Sequence, residues 1–160
     1  MEGATILGIS PGTKYVGLAI QRNGVLYDWR VKHYKGAWSD DKLEKVANFI
    51  ENLIIKHIIS HVACKVPHAS RTSKALTLLI ERIRKIANEY KLQFHLYFID
   101  ELKDWFQENI RNKKSLGAYL TIQYPELTRI FVQESKSRHQ YHTKAFEAIA
   151  ALVRCHHTIK

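Results

Sequence analysis

ILGISPGTKYVGLAI, residues 6–20, places two apolar runs on either side of Pro11-Gly12, the pattern of two strands joined by a tight turn. The first run extends back to Ala4 and ends at Ile9; the second covers Tyr15 to Gln21. A third, Gly24 to Lys32, alternates Val25, Tyr27, Trp29 and Val31, and is reached through Asn23-Gly24. That dipeptide supplies the two positive-φ positions of the favoured hairpin turn, so the spacing predicts a three-stranded antiparallel meander.

Beyond the meander, helical and strand signals alternate. Ser39 offers a helix cap, Asp40 and Asp41 suit a positive first turn, and Leu43, Val46, Ala47, Ile50, Leu53 and Ile54 share one face up to about Lys56. Ile58 to Val66 reads as a fourth strand stopped by Pro67. Ser70 or Thr72 then caps a helix carrying Leu76, Leu79, Ile83, Ile86 and Tyr90. Phe94 to Ile99 reads as a fifth strand. It is followed by short amphipathic segments around Leu102–Ile110 and Leu116–Leu120, and by a long helix from Tyr141 to His157. The order predicts an α/β domain, a mixed five-stranded sheet flanked by helices, with its later strands parallel. Sites in such sheets form at strand carboxyl ends, which here are Ser10, Lys65 and Asp100.

The 160 residues fit one domain, 1–160, without a linker, repeat or low-complexity tract. Lys and Arg number 25 against 15 acids, a net charge of +10, which suits a phosphate-rich polymer as partner. Residues 56–85 hold Lys56, Lys65, Arg71, Lys74, Arg82, Arg84 and Lys85 against the single acid Glu81. A second basic cluster runs through Arg111, Lys113, Lys114, Lys136, Arg138, His139, His142 and Lys144. Both clusters have the alternative reading of solvated helix faces or loop tips. Cys64 and Cys155 stand far apart in apolar surroundings and read as small core residues. With no secretory leader recognised, they point to a reducing cytoplasm. The apolar stretch NFIENLIIKHIISHVAC carries Glu51, Lys56 and two histidines and is too polar to span a membrane. His139, His142, His156 and His157 gather near the carboxyl end without Cys or Asp partners at ligand spacing, which argues against a structural zinc site there. Trp29, Trp105 and Phe106 read as core rather than base-stacking residues.

GISPGTKYVGLAI resembles the first two strands of the RuvC-like Holliday junction resolvases and their RNase H-like relatives, which carry a G-[IL]-D-P-G-[ST]-x-x-[TV]-G-x-[AG] pattern. HVACKVPHASRTSKAL is similar to the family's fourth strand and following helix. FIDELKDWFQENIRNKKSLGAYL resembles its fifth strand and basic helix-loop, and YHTKAFEAIAALVRCHH its D-x-x-D-A-L-A-x-A helix. The resemblance implies an RNase H-like fold and phosphodiester cleavage by two divalent ions held on about four carboxylates. It also implies DNA-facing lysines at Lys103 and Lys114, and a possible homodimer matched to a two-fold junction.

The departures from that pattern fall on the metal ligands. Ser10 stands where the family has its bridging aspartate, and Lys65 where it has a glutamate. On the last helix one register puts Lys144 and Glu147 at the acidic pair, and a register shifted by one puts Thr143 and Phe146 there. A hydroxyl and an ammonium in place of carboxylates remove the charge that divalent ions require. The leading expectation is therefore a degenerate RuvC-like protein that binds branched or duplex DNA without cutting it and holds no metal. Its nucleic-acid contacts would be Lys65, His68, Arg71, Lys74, Lys103, Lys113, Lys114, Lys136, Arg138 and Lys144. The alternative is an active Mg2+- or Mn2+-dependent structure-selective endonuclease, its site rewired around Asp100, His142 and Glu147. A non-catalytic, partner-binding dimer module is the third reading. An actin-like ATPase would need an acid at the first turn and a second such domain.

Overall fold

The computed structural model describes residues 3–106, 113–136 and 143–159, the side chains of 69, 113–115 and 134–136 aside. Five strands, β1 (Thr5–Ser10), β2 (Tyr15–Arg22), β3 (Val25–His33), β4 (His61–Val66) and β5 (Gln93–Phe98), form one sheet in the order β3-β2-β1-β4-β5. β1 pairs antiparallel with β2 and parallel with β4, β2 pairs antiparallel with β3, and β4 pairs parallel with β5. The sheet is thus mixed, as the meander followed by β-α units predicts. Asn23 (φ 53°) and Gly24 (φ 80°) both take positive φ in the β2-β3 turn.

The central strand β1 is buried along its whole length, which is why its sequence is a continuous apolar run and not an alternation. Leu7 and Ile9, with Val62, Cys64 and Val66 of β4, face helices α1 (Asp40–His57) and α2 (Lys74–Glu89). Ile6, Ala19 and Ala63 face the opposite layer, which comprises α3 (Ile99–Phe106), α4 (Lys113–Gln123) and α6 (Thr143–Ile159). A nine-residue helix beside them, α5 (Thr128–Lys136), follows a short 3-10 turn at Pro125–Leu127.

Two glycines of the opening motif set how closely α6 lies on the sheet. A Cβ added at Gly8 would fall 2.2 Å from the Ala148 carbonyl oxygen, and one at Gly17 would fall 2.0 Å from that of Lys144. No side chain fits at either place. The absence of two Cβ atoms therefore lets the first turns of α6 rest on β1 and β2, bringing Glu147 down to the end of β1.

The structure departs from the sequence expectations at several boundaries. Ile58 and Ile59 do not open β4: Ile58 is the left-handed cap of α1 (φ 52°) and β4 begins at His61. Ser73 caps α2 through a bond from the Leu76 amide, in place of Ser70 or Thr72, because a 3-10 turn over Ala69–Arg71 intervenes. The fifth strand stops at Phe98, and Asp100 sits in the first turn of α3, where acids are favoured by the helix dipole. Helix α5 was not foreseen. Its Ile130 and Phe131 gain helical order by packing on the α4 and α6 layer, a tertiary cause invisible in nine residues. Trp29 is half-buried and Phe106 buried against this same core, whereas Trp105 stays partly exposed with the Arg154 guanidinium 5.0 Å from its ring centre.

Candidate functional site

The carboxyl ends of β1 and β4 lie side by side, and alternate residues there point toward α6: Gly8 and Ser10 on β1, Ala63 and Lys65 on β4. Glu147 comes from the second turn of α6 to meet them. The Ser10 hydroxyl donates to Glu147 Oε1 at 3.1 Å, and Lys65 Nζ lies 2.9 Å from Glu147 Oε2. Ser10 and Glu147 are fully buried and Lys65 is 2% exposed. Each carboxylate oxygen therefore faces a donor, and the two buried charges neutralise each other.

Glu147 faces the strand ends, while Phe146 lies in the hydrophobic core with its ring edge-on to Phe131 at 6.1 Å. Lys144, one turn earlier, is half-buried, and its ammonium donates to the Pro11 carbonyl oxygen at 3.4 Å, beside Gly12. Lys144 and Glu147 thus both reach the strand-end region.

A set of ligands for two divalent ions needs several anionic oxygens around cations about 4 Å apart. Ser10, Lys65 and Glu147 supply one carboxylate, and an ammonium 2.9 Å away already compensates it. A cation placed there would meet that ammonium at close range in a dry site, where like-charge repulsion is little screened. These residues do not fit Mg2+ or Mn2+.

Above the pair opens a cleft of about 350 Å³, lined by Lys65, Pro67, His68, Ser70, Arg71, Ile99, Asp100 and Lys103. The 3-10 turn at the head of α2 presents His68 and Arg71, and α3 presents Asp100 and Lys103. Asp100 is 61% exposed, with an oxygen 3.7 Å from His68 Nε2. Lys74 is exposed on the first turn of α2. A second cleft of the same size, at the head of α1, is lined by His33, Lys35, Lys42 and Lys45 together with Asp41. It was missed in the sequence, although His33 pairs with Tyr15 on the strand that begins beside Ser10, so both clefts lie at one end of the sheet. Tyr15 stacks on His33 at 4.6 Å.

The residues expected to contact nucleic acid therefore divide. His68, Arg71 and Lys103 converge on one cleft. Lys65 requires a correction: its ammonium is engaged with Glu147 at the cleft floor and is not presented to a phosphate. Lys113 and Lys114 open α4 and Lys136 closes α5, but their side chains are outside the described residues, as are Arg138, His139 and His142 altogether. Of the alternative trio Asp100, His142 and Glu147, Glu147 is paired with Ser10 and Lys65, and Asp100 faces His68.

The sequence matches no family model, and no curated protein is similar to it. Among solved structures, RuvC of T. thermophilus in complex with a Holliday junction substrate superposes with a TM-score of 0.69 at 13% identity, over 98% of this chain and 95% of that one. A second structure of Thermus thermophilus RuvC gives 0.68 at 13% identity, over 97% and 95%. The chain therefore has the RuvC-like, RNase H-like fold over nearly its full length. Among the described residues no helix is long and apolar enough to cross a membrane.

Proposed function

We propose that the protein binds DNA, branched or duplex, on the strand-end face of a RuvC-like frame and does not cleave it. The observation that carries this reading is the Ser10–Glu147–Lys65 arrangement. An internal ammonium neutralises the remaining carboxylate where related nucleases would hold ions, directly beneath a cleft that offers Arg71, Lys103 and His68. An arginine and a lysine on the rim of a polar cleft suit phosphate oxygens, which supply most of the affinity in nucleic-acid binding. The RuvC structure solved with a Holliday junction substrate supports a junction as the first ligand to try. A two-fold dimer would match such a junction, and the two separate buried thiols suit a reducing, cytoplasmic setting.

The test is a gel with an end-labelled four-way junction and a matching linear duplex, in Mg2+ or Mn2+, over a salt series, with sedimentation of the free protein alongside. Retarded junction that weakens steeply with salt, with no cut strands, is the expected outcome. Metal-dependent cutting would overturn the non-catalytic part of the proposal, and absence of binding at low salt would overturn the whole.

A further inference from the structure

We propose that His61, His95 and Cys155 form a binding site for a divalent transition metal of the zinc class, under the second half of α6 and separate from the strand-end cleft. One ligand atom from each of the three lies within 4.8 Å of the others. His61 Nδ1 and His95 Nε2 are 3.4 Å apart. Two nitrogens each ~2.0–2.1 Å from a tetrahedral zinc ion lie about 3.4 Å apart, so the imidazoles already sit on one edge of such a tetrahedron.

Topology brings the three together. In the parallel register of β4 and β5, Ala63 pairs with His95 and His61 with Gln93, so His61 and His95 are diagonal neighbours on the face that α6 covers. Cys155 lies eight residues beyond Glu147, roughly 12 Å along the same helix. The cluster is thus distinct from the Lys65–Glu147 pair, and none of its three members is a cation, although the Arg154 guanidinium lies 5.7 Å from the centre of the neighbouring Tyr97 ring.

Two imidazoles and one thiolate are a donor set for zinc, and poorly suited to magnesium or calcium. Burial lowers the basicity of both imidazoles, which favours the neutral form that ligates. Burial also pushes the Cys155 thiol up to about 12, so the metal must displace its proton: the S–H bond breaks, an S–metal bond forms and one proton leaves to solvent. The Tyr97 hydroxyl is buried beside Cys155 and Thr158 without a hydrogen bond of normal geometry among the described residues. It can accept a bond from a water on the metal. Both imidazoles are only half-buried.

The test titrates cobalt(II) into the full-length, chelator-treated protein and follows the visible bands of tetrahedral cobalt and the near-ultraviolet thiolate-to-cobalt band. One cobalt per chain is expected, with a thiolate band that zinc bleaches by displacement. Cys64 lies on the opposite face of the sheet, so Cys64→Ala retains the band and Cys155→Ala loses it. His95→Gln weakens binding at least tenfold. If Cys155→Ala fails to fold, the Cys64→Ala protein has Cys155 as its single thiol, and its spectrum decides the assignment. A wild-type protein with no thiolate band, or a band that survives Cys155→Ala, overturns the proposal.

Discussion

The two halves of α6 bury polar groups against the same sheet in opposite ways. Near its start, Glu147 is closed off by Ser10, which donates to one carboxylate oxygen, and by Lys65, whose ammonium lies 2.9 Å from the other. Two turns further on, Cys155 faces the His61 and His95 rings, whose facing nitrogens are 3.4 Å apart. The first arrangement is complete without a ligand; the second is arranged as if around one. One helix thus carries a site that an internal cation fills and another that an external cation would complete.

The largest expected effect comes from opening the closed half. Glu147→Ala removes the carboxylate that faces the buried Lys65 ammonium, and should destabilise the protein by about 3–5 kcal/mol. Urea denaturation of this variant, of Lys65→Met and of the Lys65→Met/Glu147→Leu double variant completes the cycle. The double variant should recover most of the loss, since a hydrophobic replacement of similar volume removes both desolvation costs. A double variant no better than the worse single one would mean that the pair does more than neutralise itself.

Next is the open half. Saturating zinc at a hundredfold excess over its dissociation constant should stabilise the native protein by about 2.7 kcal/mol. Chelator should reverse the shift in Tm, and Lys65→Met should leave the zinc increment intact. An increment that vanished with Lys65→Met would merge the two regions into one site and break the distinction between them.

Gly17→Ala acts on both halves, because its Cβ would meet the Lys144 carbonyl oxygen at 2.0 Å and α6 would have to lift. Overpacking of this kind should cost about 1–3 kcal/mol and lower zinc affinity as well, which thermal melts with and without zinc would register. The smallest stability effect is expected at the rim. Arg71→Ala should change stability by no more than about 0.5 kcal/mol, yet weaken DNA binding and reduce the salt slope by about one. A large loss of stability would instead make Arg71 structural.

Much of the frame was legible because its causes are local. Asn23-Gly24 dictates a hairpin, Ser39 accepts from the Lys42 amide and caps α1, and the apolar runs mark strands wherever they are buried on both faces. The GISPGTKYVG stretch also pointed to the right fold, since its glycines answer to the close approach of α6. That a hydroxyl and an ammonium, Ser10 and Lys65, stand at the ends of two neighbouring strands could be read from the same motifs. What those two side chains do could not. The sequence reading gave Lys65 to a phosphate, because a lysine at a strand end looks available until a helix more than 80 residues later supplies Glu147. His61, Ala63 and Lys65 alternate on β4 as His95 and Tyr97 do on β5, so period two puts the histidines on one face; it does not say that Cys155 lands over them.

The sequence by itself therefore determined the strands, most of the helices and the basic character, since turn chemistry, caps and hydrophobic periodicity act over a few residues. Only the tertiary structure decided which charges meet. The register of α6 on β1 and β4 chose Glu147 over Phe146 and closed it against Lys65, and the same register laid Cys155 beside His61 and His95. Those pairings join residues from about 30 to nearly 140 positions apart, and the packing of one helix over two glycines fixes where α6 can place its share of them.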